Sequence, residues 1–134
     1  MAQTRSEKLQ RLVKVQRHLE HMAEYELAAT ARARAEIEET MAAAVDAIGS
    51  LDTVHQLFAS IYSGQISRLT AKDQHLSTMQ QIQEQKILRE RAKADRLAEQ
   101  AKDAREVEDR DADEKTIYEL LDQQFALSVR RGPL

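Results

Sequence analysis

The sequence predicts an all-α protein, a long antiparallel two-helix coiled-coil hairpin, and three observations point there. Only three glycines and one proline interrupt its 134 residues, and the proline is Pro133. Most of the rest is Ala, Glu, Lys, Arg, Gln and Leu, whose side chains lose little rotamer freedom in a helix. The third observation is a heptad: Ile37, Met41, Ala44, Ile48, Leu51, His55, Phe58 and Tyr62 follow one another in alternating steps of four and three.

The first arm is expected over residues 5–62. Upstream of the heptad its apolar stripe reads Leu9, Leu12, Gln16, Leu19, Met22, Glu26, Ala29 and Ala33, with weaker knobs. The turn is placed at 62–65. Ser63-Gly64 lies where one seam stops and another begins, and a glycine just past a helix end readily takes the left-handed conformation of a cap. Gly49-Ser50 is the other breakpoint; a kink there stays open, although one glycine inside a helix costs only ~1 kcal/mol.

The second arm is expected over residues 65–128, with a stripe of Ile66, Leu69, Asp73, Leu76, Met79, Gln83, Ile87, Glu90, Ala94, Leu97, Ala101 and Ala104. A loosely packed stretch around 105–115 precedes Ile117, Leu120, Leu121 and Phe125, and a short tail covers 129–134. Folding about Gly64 sets Phe58 against Leu69, Leu51 against Leu76, Ile48 against Met79 and Met41 against Ile87. It also sets His55 opposite Asp73, a polar layer that would fix register. A pH switch at that layer is conceivable through the histidine, but a register pin is the simpler account.

Charge supports an antiparallel pairing. Residues 1–22 carry five basic and two acidic groups, and residues 103–118 three basic and seven acidic. Residues 23–62 carry two basic and seven acidic, and 63–102 eight basic and five acidic. A hairpin sets opposite signs together, whereas a parallel in-register dimer sets like against like. Exposed pairs are worth only ~0–1 kcal/mol each, so they select the partner rather than hold the fold.

Composition narrows the function. Aromatic residues are only 4% of the chain, too few large side chains for a compact core around an enclosed pocket. Disorder is the competing reading of so charged a chain, but the sustained periodicity and scarce Pro and Gly oppose it. With no cysteine, disulfides and thiolate metal sites are excluded. Isolated glycines leave no phosphate-binding loop. The charged start, Arg5 to Lys8, does not read as a secretory signal, and no run reaches the ~18 apolar residues of a membrane span. A cytoplasmic protein without cofactor or metal is expected. Carboxylate clusters such as Glu38-Glu39 read as solvated faces, since general acid–base catalysis needs a pocket that shifts their pKa. No enzymatic activity is expected. His18 and His21 share a helix face but supply only two of the ligands a metal site needs.

Two surfaces stand out as partner-binding candidates. Beside the turn, Leu57 and Ile61 flank the seam residues Phe58 and Tyr62, more apolar area than two helices can bury, which either a partner or a local cap of the hairpin would use. At the far end, Phe125 and Leu127, with Arg130 and Arg131 and the apolar Val129, extend beyond the first arm. The basic segment Lys86–Arg96 superficially resembles the basic region of a bZIP protein, but no leucine zipper follows and its interspersed acids would repel phosphate. Pairing with the acidic residues 36–46 accounts for it more simply, and no nucleic acid is expected.

The chain resembles the flagellar export protein FliJ and its injectisome counterparts of the YscO kind. The resemblance rests on the length, the arms and the start Arg5-Ser6-Glu7-Lys8-Leu9-Gln10-Arg11-Leu12-Val13-Lys14 with Ala23-Glu24-Tyr25-Glu26-Leu27-Ala28. The acidic run Glu108–Lys115 followed by Leu120-Leu121 belongs to it too. It implies a cytoplasmic coiled-coil component of the flagellar type III export apparatus, reaching the inner face of the membrane without inserting into it. Its implied partners are a hexameric export ATPase, the membrane export gate and export chaperones; it assigns no individual residue. A self-associating scaffold coil, and more remotely a nucleic-acid-binding coil, remain the alternatives.

Overall fold

The structure is a computed structural model and describes residues 2–50 and 53–131. Its elements are α1 (Arg5–Ile48), α2 (Thr53–Leu57) and α3 (Ala59–Arg131). The protein is an all-α hairpin in which α1 and α3 run antiparallel. Packing divides into two compact units: α1 through Val15 with α3 from Lys93 onward, and Gln16–Ala92.

Thr4 caps the start of α1. Its Oγ1 accepts from Glu7 N at 3.3 Å, satisfying an amide that has no partner inside the helix, and its carbonyl accepts the first helical bond from Lys8 N at 3.1 Å. Its inward side chains keep the heptad found at Ile37 and carry it back unbroken. Ser6, Leu9 and Val13 are buried or half-buried in the first unit. Gln16, Glu20, Ala23, Leu27, Thr30, Arg34, Ile37, Met41, Ala44 and Ile48 are so in the second. The stripe expected upstream holds at Leu9, Gln16 and Ala33, which are buried or half-buried, and is out of phase at the rest. Leu12, Leu19 and Met22 are 50%, 43% and 48% exposed, because the phase set by Ile37 and Ala44 outweighs the apolar character of single residues.

On α3 the expected stripe holds, with Gln80 turned inward where Met79 was expected. Ile87, Ala94 and Ala101 are its most enclosed side chains. Much of the seam is polar: Thr30 satisfies its hydroxyl on the Glu26 carbonyl (3.2 Å), while Gln83 Oε1 is buried without a hydrogen-bond partner.

The expected turn at 62–65 is overturned. α3 runs straight through Ser63-Gly64, where an added Cβ would meet nothing within 4 Å, so this glycine has no capping task. The chain leaves α1 at Ile48 instead. Gly49 N still donates to Val45 O (3.0 Å), whereas Ser50 N donates to Ala47 O (3.3 Å), the tightened bonding that closes a helix. Physically, the glycine and the capping-type residues Ser50, Asp52 and Thr53 occur together here, while Gly64 stands alone among helix formers. The first arm is thus shorter than expected, and the second begins at Ala59 rather than 65.

The register moves with the turn. Met41 Sδ accepts a 3.6 Å contact from Thr70 Oγ1, where Ile87 had been expected opposite Met41. The predicted pairings of Phe58 with Leu69 and Ile48 with Met79 lapse with the turn that produced them. Leu51, expected opposite Leu76, lies outside the described residues.

Candidate functional site

Three polar layers set the register, and none is the expected pair of His55 with Asp73. Asp73 is taken by Arg34 of α1, whose Nε donates to Oδ1 at 3.0 Å and Nη2 to Oδ2 at 3.4 Å. Arg34 Nη1 also donates to Gln80 Oε1 at 2.9 Å. Such a fork is geometrically selective, because a planar guanidinium meets both carboxylate oxygens only in one alignment. The Arg34 bonds hold Asp73 below the ordinary carboxylate range, and Asp73 in turn raises Arg34. Arg34 belongs to the heptad, one step before Ile37; a search for apolar letters alone passes over it. His55 instead lies against Tyr62 within the same connection, Nδ1 to phenolic oxygen 3.0 Å.

The second layer surrounds Glu20, only 7% exposed. Arg91 Nε donates to it at 2.9 Å and Arg17 Nη1 at 3.1 Å, and the Arg91 bond is the main cause of its lowered pKa. Gln16 donates to the Glu90 carboxylate and to the Glu90 carbonyl (3.3 Å). Lys86 reaches Glu26 at 3.4 Å, and Arg91 also reaches Glu24 at 3.6 Å. The acids facing these bases therefore lie at 20–26, not at 36–46 as the misplaced turn implied.

The third layer closes the start of α1. Ser6 is 1% exposed; its hydroxyl donates to Glu108 Oε2 at 2.5 Å and its amide to Oε1 at 3.0 Å. The Glu108 carboxylate sits on free amides at the positive end of a helix dipole. The Ser6 hydroxyl, then its amide, keeps Glu108 ionised to lower pH than an ordinary glutamate.

These carboxylates dictate the acid response. A group whose folded pKa is depressed stabilises fully above its unfolded pKa and loses that stabilisation as pH falls through the folded value. The urea midpoint should stay level from pH 7 to about 5 and fall below about 4, the unfolded carboxylate range. Asp73→Asn should flatten part of that fall.

Among the described residues, no helix lies beside α3 beyond Glu108. Every described side chain from Asp109 to Arg130 is exposed. Phe125 is 72% exposed and Leu127 55%, both as expected of a free end, with Ile117, Leu120 and Leu121 at similar values. Ile117, Leu120, Leu121, Gln123, Gln124 and Leu127 border a shallow groove along this segment. Arg130 is exposed, and the Arg131 side chain lies outside the described residues.

At the connection, Leu57 and Ile61 are exposed as anticipated, joined by Val45 and Val54. Tyr62 is half-buried, but Phe58, expected in the seam, is 45% exposed because α1 has already ended. From Ala47 to Ser67 the sequence holds one acidic residue, one histidine and no Lys or Arg. The patch is apolar and nearly uncharged.

His18 and His21 border an open groove with Met22, Glu24 and Tyr25, and His21 Nδ1 lies 3.3 Å from Glu24. Among the described residues no group of three or more His, Cys, Asp or Glu could hold a metal ion. Among them, too, no helix is long and apolar enough to cross a membrane. No family model matches the chain, and neither does any curated protein or solved structure.

Proposed function

We propose that this chain is a cytoplasmic coiled-coil component of a flagellar type III protein export apparatus. In this reading it associates with the hexameric export ATPase and with the export gate or export chaperones, and carries no catalytic site, cofactor or nucleic acid. The observation that carries it is the unpaired end of α3: a hairpin whose second helix continues from Asp109 to Arg131 with its apolar residues uncovered. Uncovered apolar area on this scale is the mark of a surface that meets another protein. The near-uncharged connection around Leu57, Phe58 and Ile61 offers a second, separate contact. The resemblance in the Arg5–Lys14 and Glu108–Leu121 segments supplies the identity of the partners.

A scaffold coil that self-associates is the second reading, favoured by the same uncovered apolar residues. Nucleic-acid binding is less supported, since Lys86 and Arg91 are already engaged by Glu26, Glu20 and Glu24. The deciding experiment is co-purification with a hexameric export ATPase, using the full chain and a version ending at Glu108. Retention of the full chain and loss of the shortened one is expected. Failure of the full chain to bind any export ATPase from its own cell would reject the export reading.

A further inference from the structure

We propose that the unpaired end of α3 pairs antiparallel with the same segment of a second copy of this chain. Residues 109–131 continue α3 for about 34 Å at 1.5 Å per residue, and helices in proteins gain most of their stability from packing one face against a partner. Its seam is self-complementary on reversal. Ile117, Leu120, Gln124 and Leu127 follow heptad steps of three, four and three. Turned about a twofold axis at residue 122, Ile117 meets Leu127 of the other copy and Leu120 meets Gln124. The contact is isologous and closes at two copies. These same side chains border the groove along the helix.

Charge selects the direction. Asp109, Asp111, Asp113 and Glu114 outnumber Arg110 and Lys115 and leave one end of the segment net acidic, while Arg130 and Arg131 make the other basic. Antiparallel pairing brings Arg130 to the acidic run of the second copy, whereas parallel pairing stacks acid on acid. Tyr118, Phe125 and Val129 lie roughly 140° around the helix from that seam, given 3.6 residues per turn. They remain open for a different partner, so this pairing is independent of the export reading.

The chain has no cysteine, which makes single-site cross-linking clean. In sedimentation equilibrium the full chain should shift from monomer to dimer with concentration up to the high-micromolar range, and the version ending at Glu108 should remain monomeric. Circular dichroism of the shortened version verifies that the hairpin is folded. Under mild oxidation, a mixture of Ile117→Cys and Leu127→Cys chains should form the mixed disulfide, and Leu127→Cys alone should not. A full chain monomeric throughout, a shortened chain that still dimerises, or a Leu127→Cys self-cross-link without the mixed one would each overturn the proposal. None of these results bears on ATPase binding, so the two readings fail separately.

Discussion

Gly64→Pro is expected to cost the hairpin ~3 kcal/mol or more, while Gly64→Ala stabilises it by ~0.5–1 kcal/mol. Residue 64 lies inside α3, so proline there removes an amide donor and its ring meets the carbonyl one turn back. Alanine gains because an added Cβ meets nothing within 4 Å and the unfolded chain loses freedom it would otherwise have. Urea unfolding followed by circular dichroism measures both. A left-handed cap at Gly64 predicts instead that alanine is harmful as well as proline, because neither takes a positive φ without strain, so the sign of the alanine effect separates the two turns. Destabilisation by alanine would therefore move the hairpin's bend back to that point.

Ile37→Ala carries the next largest effect, a loss of about 2–4 kcal/mol, with Ile87→Ala similar. Both isoleucines belong to the same compact unit and are only 6% and 7% exposed, in a seam otherwise short of large apolar groups. Most of the neighbouring seam positions are Ala, Thr, Gln or charged, so little else can fill the space vacated. Leu19→Ala and Met22→Ala serve as the contrast. Their side chains are 43% and 48% exposed, and each should change stability by no more than about 0.5 kcal/mol. A larger loss at Leu19 than at Ile37 would place the contact face of α1 on the wrong side.

That contrast also locates what could be read from the sequence. The all-α hairpin, the α3 stripe from Ile66 to Ala104 and the free end carrying Phe125 and Leu127 were legible, because breaker scarcity and heptad phase are local properties. The bend was not. Two glycines competed, and the regular spacing from Ile37 through Tyr62 argued for passing Gly49, although the chain breaks there. Once the bend moves, every cross-helix partner moves with it, which is why Asp73 meets Arg34 and His55 meets Tyr62. The upstream phase on α1 failed for a different reason. Apolar Leu12, Leu19 and Met22 drew the stripe toward themselves, while the true seam, beyond the expected Leu9 and Gln16, holds Glu20, Thr30 and Arg34. Strict counting back from Ile37 in threes and fours finds those positions, polar as they are. The Ser6–Glu108 clamp carries no sequence signal beyond a capping threonine and an acid far away, since its register follows from the bend.

The clamp has a consequence for how such a chain can evolve. Past Glu108 no described side chain is buried, so substitutions there escape the packing constraints that govern the seam. Mutational drift in that stretch can retune what the molecule recognises without a penalty in folding. Limited digestion should show the same division, nicking the stretch early and leaving a resistant fragment that ends near the glutamate.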